Sequence, residues 1–257
     1  MKNNPSECPR EMLASHFNPV GAKVFGVGLQ KTGLTSLRRL MRRCGLNARA
    51  GNATQRRNFF VLRDYDAVLR HYDTADFFCD WPTPLMYRLA YEKYGENSLF
   101  ILTVRKDSQT WFESLKRHNA FAHPLRNKHH RIFGRYYPHG FDQEHIAYYE
   151  RHNREVVRFF KERGAQNQLL VVQVDEPQAV ARVTQFLRIK TEITEFPHRN
   201  ASQVNRPGIG NWFKKHYNDI VQELYAQHAP RILKSSPRHS VPIEPGTYGG
   251  RACASRD

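Results

Sequence analysis

The chain has 257 residues, of which 40% are hydrophobic and 12% aromatic; this suits one domain with a full core and excludes a disordered chain. Forty Lys and Arg against 24 Asp and Glu give a net charge of +16, which suggests an anionic partner without identifying it. No apolar run is long enough to span a bilayer, and residues 1–13 have no apolar signal core. With four cysteines at unrelated spacings, these features lead us to expect a cytoplasmic protein.

Apolar runs alternate with amphipathic segments along the chain. Runs typical of strands buried on both faces of a parallel sheet are "KVFGV" (23–27), "LFILTV" (99–104) and "LLVVQV" (169–174). Helices are predicted from about 35 to 44, 83 to 94, 144 to 163 and 176 to 189. The alternation predicts a three-layer α/β fold, with a central parallel sheet flanked by helices. We expect one domain at 23–233, between tails at 1–22 and 234–257.

The stretch "VFGVGLQKTGLTSLRRL" (24–40) has the pattern of a phosphate-binding loop between a strand and a helix. Gly28 and Gly33 have the spacing of G-x-x-x-x-G-K-[ST], and Thr35 supplies the hydroxyl. Leu34, however, occupies the lysine position, which disfavours ATP hydrolysis. Lys31 lies inside the loop instead, where its ammonium group would reach a group attached to the bound phosphate. The alternative is a glycine-rich turn that binds nothing.

"GLQKTGLTSL" resembles the 5′-phosphosulfate loop of the sulfotransferases that use 3′-phosphoadenosine 5′-phosphosulfate (PAPS). Lys31, Thr32, Gly33, Thr35 and Ser36 match that loop in order, and Leu34 departs from it but keeps a backbone N–H. The resemblance implies that PAPS is the sulfuryl donor and that its product is adenosine 3′,5′-bisphosphate (PAP). The residues expected to contact it in this loop are Gly28, Gln30, Lys31, Thr32, Gly33, Leu34, Thr35 and Ser36.

Two further motifs resemble the parts of this family that bind the 3′-phosphate. In "FILTVRKDSQTWFESL" (100–115), Arg105 follows a strand and Ser114 lies on the next helix, one residue further away than is usual. The alternative for Arg105 is an ion pair with a carboxylate such as Asp107. In "RPGIGNWFKKHY" (206–217), Arg206 and Gly208 match a glycine loop that closes over the 3′-phosphate in the family.

The resemblance also suggests catalytic roles. Lys31 would stabilise the bridging oxygen as the sulfuryl group leaves. Asp80, in "CDWP", stands where the cytosolic branch has a histidine base; its alternative roles are to cap a helix or to position the acceptor. His71 and His118 are weaker candidates for the base, and we expect no metal.

The predicted function is therefore sulfuryl transfer to a hydroxyl or amine of an unidentified small-molecule, glycan or lipid acceptor. A P-loop kinase or nucleotidase is one alternative, and Leu34 disfavours it. A basic nucleic-acid-binding protein without catalysis is the other, which the charge alone does not exclude.

Overall fold

A parallel sheet of five strands forms the centre of the fold, in a computed structural model that describes residues 20–119, 129–133, 138–197 and 209–234. The strands are β1 (Lys23–Gly26), β2 (Ala48–Ala50), β3 (Phe77–Cys79), β4 (Ser98–Val104) and β5 (Leu169–Gln173). Their order is β2-β3-β1-β4-β5, and every neighbouring pair is parallel. After β1 the chain continues towards one edge of the sheet, and after β4 it continues towards the other. This reversal opens a crevice at the carboxyl ends of β1 and β4, which is where sheets of this kind bind ligands.

Helices cover both faces of this sheet. They are α1 (Leu34–Arg43), α2 (Ala53–Arg57), α3 (Tyr65–Tyr72), α4 (Tyr87–Tyr94), α5 (Ser108–Asn119), α6 (His129–Phe133), α7 (Asp142–Glu162), α8 (Ala179–Phe186) and α9 (Ile209–Lys234). A π-helix (Asn58–Leu62) continues α2, and 3₁₀ turns span Thr83–Leu85, Gly95–Asn97 and Gln166–Gln168. Within the described ranges, no helix combines the length and the apolar character needed to cross a membrane.

The core divides into two clusters because successive strand residues face opposite sides of the sheet. One face, including Val24, Phe77 and Ile101, packs against α1 and α8. The other, including Phe25, Phe78 and Phe100, packs against α3, α4, α5 and α7. The predicted three-layer α/β fold is thus confirmed.

The sequence located the longer strands and missed the short ones. The three predicted strands are β1, β4 and β5, each within one residue at either end. β2 and β3 were not predicted, since three residues are too few to show a strand pattern.

Residues 209–217 of the motif quoted at 206–217 are helical, because they begin a helix that spans Ile209–Lys234. Gly210 lies in the first turn of this helix, where the backbone N–H groups have no acceptor within the helix. Arg206 and Gly208 lie outside the described residues, as do the predicted tails except for the few residues next to β1 and at the end of α9.

Gln222 Nε2 donates to the Asn119 carbonyl at 3.0 Å, which joins α9 to the end of α5.

A buried histidine joins α7 to the end of β1. His152 Nε2–H donates to the carbonyl of Val27 at 2.8 Å, and the side chain is fully buried. Burial lowers the pKa of His152 to about 4, although the hydrogen bond to Val27 acts in the opposite direction. The folded protein therefore holds this imidazole neutral, whereas the unfolded chain protonates it at an ordinary pKa near 6.5.

Stability should consequently fall as the pH drops below about 6.5. Protonation favours the unfolded state, so the His152 contribution is complete above that pH and is lost down to about pH 4, by about 3 kcal/mol in total. In His152→Gln, whose amide replaces the donor but does not titrate, this part of the pH dependence should disappear. Urea unfolding of both proteins between pH 4 and 8 measures it. Parallel stability curves would show that His152 does not titrate in this way.

Candidate active site

The loop of residues 27–33, called here the phosphate loop, packs closely against β4. A Cβ on Gly28 would lie 2.1 Å from Thr103 Oγ1 and 2.4 Å from the Thr103 carbonyl, so only glycine fits. Thr32 is fully buried; its hydroxyl donates to the Leu29 carbonyl at 2.6 Å and accepts from Thr103 Oγ1 at 2.6 Å. The Thr32 hydroxyl is thus engaged inside the loop, and the contact of Thr32 with the donor stays a prediction.

The first turn of α1 presents unpaired donors. Gly33 precedes the helix with φ 97°, and the first helical bond runs from Leu37 N to the Gly33 carbonyl at 3.0 Å. The N–H groups of residues 34–36 thus have no acceptor within the helix. Thr35 and Ser36 are partly exposed, and neither hydroxyl bonds to any described residue. These donors, with the positive end of the helix dipole, are of the kind that can bind an anion.

Leu34 confirms that this is not a conventional nucleoside-triphosphatase loop. Its side chain is only 6% exposed and packs in the core cluster between the sheet and α1. The cation of such a loop must therefore come from another position.

Gln30 is held by two tryptophans from different parts of the chain. Trp81 Nε1 donates to Gln30 Oε1, and Trp111 Nε1 donates to the Gln30 carbonyl, both at 2.8 Å. Both acceptors of Gln30 are thereby used, and its side-chain N–H groups remain as the donors it can offer a ligand. The hydrogen bonds of the two indoles could not be predicted from the sequence. In a sequence, a tryptophan that positions a loop cannot be distinguished from one that only packs in the core.

Lys31 lies among cations. Burial lowers its pKa below the usual value, and the charges of Arg105 and Arg117 lower it further. Arg117 was missed by the sequence analysis, although its spacing from Ser114 was a signal. Ser114, Arg117 and His118 stand at i, i+3 and i+4 on α5, so they share one face of that helix.

Arg105 begins the loop after β4 and is fixed at two points. Its backbone N–H donates to Tyr149 Oη at 2.9 Å, and Nη1 pairs with Asp175 Oδ2 at 3.3 Å. Asp107 is not its partner; that carboxylate instead accepts from the Thr110 N–H at the start of α5. Arg105 Nε is buried and forms no hydrogen bond with a described residue, and the ion pair with Asp175 uses only Nη1.

Asp80 follows β3 in a strained turn. Its φ is 67°, its Oδ1 accepts from the Trp81 N–H at 2.8 Å, and its carbonyl accepts from the Thr83 N–H at 2.8 Å. Lys31, with φ 72°, and Asp80 are two of the four described non-glycine residues in the left-handed region. Such strain is common at functional sites.

His118 belongs to the same group of charges as Lys31 and Asp80. Desolvation lowers its pKa, the Lys31 charge lowers it further, and the Asp80 carboxylate opposes both. His71 is elsewhere, on α3, with its ring edge-on to Phe78 at 5.5 Å and with Arg49 as its charged neighbour. Among the described residues no cluster of three His, Cys, Asp or Glu side chains could hold a metal ion.

Residues 23–204 match the family model described as the sulfotransferase domain. A search of the curated proteins finds no match. The matched region contains the phosphate loop, Asp80, Arg105 and Ser114, and it covers most of the chain. The chain belongs to the sulfotransferase domain family.

Proposed function

We propose that this protein transfers a sulfuryl group from PAPS to a hydroxyl or amine of an acceptor and releases PAP. The family supports sulfuryl transfer in general. The observation that carries the choice of donor is the position of Lys31, inside the phosphate loop and near Arg105 and Arg117, next to the unpaired N–H groups of α1. A phosphate bearing a sulfate, with a second phosphate elsewhere on the nucleotide, suits that distribution of donors.

The residues fit the two anionic ends of the donor. The N–H groups of residues 34–36 and the hydroxyls of Thr35 and Ser36 would hold the 5′-phosphate. Arg105, through the guanidinium N–H groups that are not engaged by Asp175, would hold the 3′-phosphate with Ser114. Arg206 and Gly208 keep the role in 3′-phosphate binding that the family resemblance gives them.

Lys31 would act on the leaving oxygen. PAPS, when bound, supplies the sulfuryl group, and negative charge grows on the bridging oxygen as the S–O bond breaks. The Lys31 ammonium supplies positive charge at that point, and its lowered pKa makes it a better proton donor than an exposed lysine.

Asp80 would accept the proton that the acceptor loses as its new bond to sulfur forms. Oδ1 is engaged by Trp81, which fixes the carboxylate, while Oδ2 bonds to no described residue. His118 is the second candidate, because its lowered pKa keeps the imidazole neutral and so able to take a proton.

Ligand binding tests the proposal directly. PAP should raise the melting temperature at lower concentration than AMP or ATP with Mg²⁺ does, and labelled PAPS with a cell extract should give a labelled product.

Arg105→Ala should weaken PAP binding by about 1.5–3 kcal/mol, the range for hydrogen bonds to charged groups, and leave AMP binding nearly unchanged. Arg158→Ala, which removes an exposed arginine from ion pairs on α7, is the control. Tighter binding of ATP with Mg²⁺ than of PAP would favour a kinase or nucleotidase instead.

Lys31→Ala should reduce turnover at saturation by about 10²–10³, as is seen when one oxyanion donor is removed. PAP affinity should fall much less, because the donors of α1 remain and the charge matters most in the transition state. Lys31→Arg should retain part of the activity. If turnover stays intact while PAP binding weakens, and added salt has the same effect, Lys31 only raises the local positive potential.

Asp80→Asn should strongly reduce turnover with near-normal PAP affinity, because the amide cannot accept the proton that the acceptor loses. His118→Gln, measured in parallel, separates the two candidate bases. An Asp80→Asn enzyme with most of its activity, beside an inactive His118→Gln enzyme, would assign the proton to the histidine.

A further inference from the structure

Helix α7 contacts both of the elements that hold the two proposed phosphate sites. Within residues 149–153, Tyr149 Oη accepts from the backbone N–H of Arg105 at 2.9 Å, and His152 Nε2–H donates to Val27, at the start of the phosphate loop, at 2.8 Å. Residues three apart on a helix point the same way, so one face of α7 bonds to the chain after β4 and to the chain after β1.

A second connection runs through α5. The indole of Trp111 stacks on the Tyr149 ring, with centroids 4.5 Å apart and planes 12° apart, while its Nε1–H donates to the Gln30 carbonyl at 2.8 Å. Ser108, at the start of α5, donates to Glu150 Oε1 at 2.8 Å. The contacts therefore run without a break from Gln30 through Trp111 and Tyr149 to Arg105.

These bonds come from side chains that belong to the core. Trp111 is fully buried and Tyr149 is 3% exposed, so packing holds both rings in place. None of the three side chains belongs to the anion site itself. Their bonds go to backbone atoms, and a backbone bond sets where a segment lies whichever ligand is present.

We propose that Tyr149, His152 and Trp111 are positioning residues that fix the distance between the 5′- and 3′-phosphate sites, and hence selectivity for a nucleotide with phosphates at both positions. The inference rests on the proposed function. Tyr149 acts on the 3′ side through Arg105, whereas His152 and Trp111 act on the 5′ side through the phosphate loop. A bisphosphate is bound tightly only when both sites are in register.

The test compares PAP and AMP affinities in single variants. Tyr149→Phe keeps the ring stacked on Trp111 and removes the hydroxyl, which accepts from the Arg105 N–H and also interacts with Asn153 on the same helix. It should weaken PAP binding about fivefold to tenfold, the scale of one hydrogen bond, with AMP binding unchanged. His152→Phe should weaken PAP binding more than AMP binding, because AMP does not need the two sites in register, and His152→Gln should restore PAP binding. Tyr91→Phe is the matched control, because the Tyr91 ring packs in the core and its hydroxyl bonds to no described residue.

A double-mutant cycle separates positioning from general destabilisation. If Tyr149 acts through Arg105, Tyr149→Phe should have no further effect on PAP binding in an Arg105→Ala background. Equal weakening of PAP and AMP by Tyr149→Phe, or effects of the two changes that simply add, would overturn the inference. Wild-type protein that binds PAP no better than AMP would overturn the proposed function and this inference together. Wild-type discrimination that survives in Tyr149→Phe would overturn the inference alone.

Discussion

The contact between the phosphate loop and β4 is the constraint on which the rest of the site depends. Gly28 approaches Thr103 so closely that even a methyl group would collide with backbone, and the hydroxyls of Thr32 and Thr103 close the same gap with a buried hydrogen bond. This contact brings the loop after β1 beside the chain after β4. Gly33 then turns the backbone through the left-handed region into α1, packed against Val174 at the end of β5. Three strand ends thus converge on one group of donors.

Positive charge is concentrated around the phosphate loop, and the fold offsets part of the resulting repulsion. Lys31, Arg105 and Arg117 are close enough to depress the pKa of the lysine, which means that they repel one another in the absence of a ligand. Asp175 offsets some of that repulsion by pairing with Arg105. An anion bound among the three would relieve the rest. The local density of cations is more informative than the net charge of +16, because a basic surface alone has many explanations.

The sequence predicted the fold for identifiable reasons, and the site residues it suggests stay predictions. Continuous apolar runs such as "LFILTV" show a buried strand directly, and a glycine loop between a strand and a helix shows an anion site. Nothing local showed that the Thr32 hydroxyl turns inward, because that depends on Thr103, 71 residues away. The roles of Trp81, Trp111 and Tyr149 were equally hidden, since each is a core aromatic whose polar atom finds its partner only in the folded chain. The helix over 209–217 was missed because glycines that resemble a binding loop are also tolerated in a first helical turn.

The bond from His152 to Val27 joins residues 125 positions apart, and the pair Thr32–Thr103 joins residues 71 apart. The phosphate loop therefore cannot take its shape from its own short sequence; it needs β1, β4 and α7 to be assembled first. Contacts of such long range form late, because chain closure costs entropy before they contribute any stability. The ability to bind ligand would then report on completion of the whole domain, and a chain that ends before α7 would retain the glycine motif without its function.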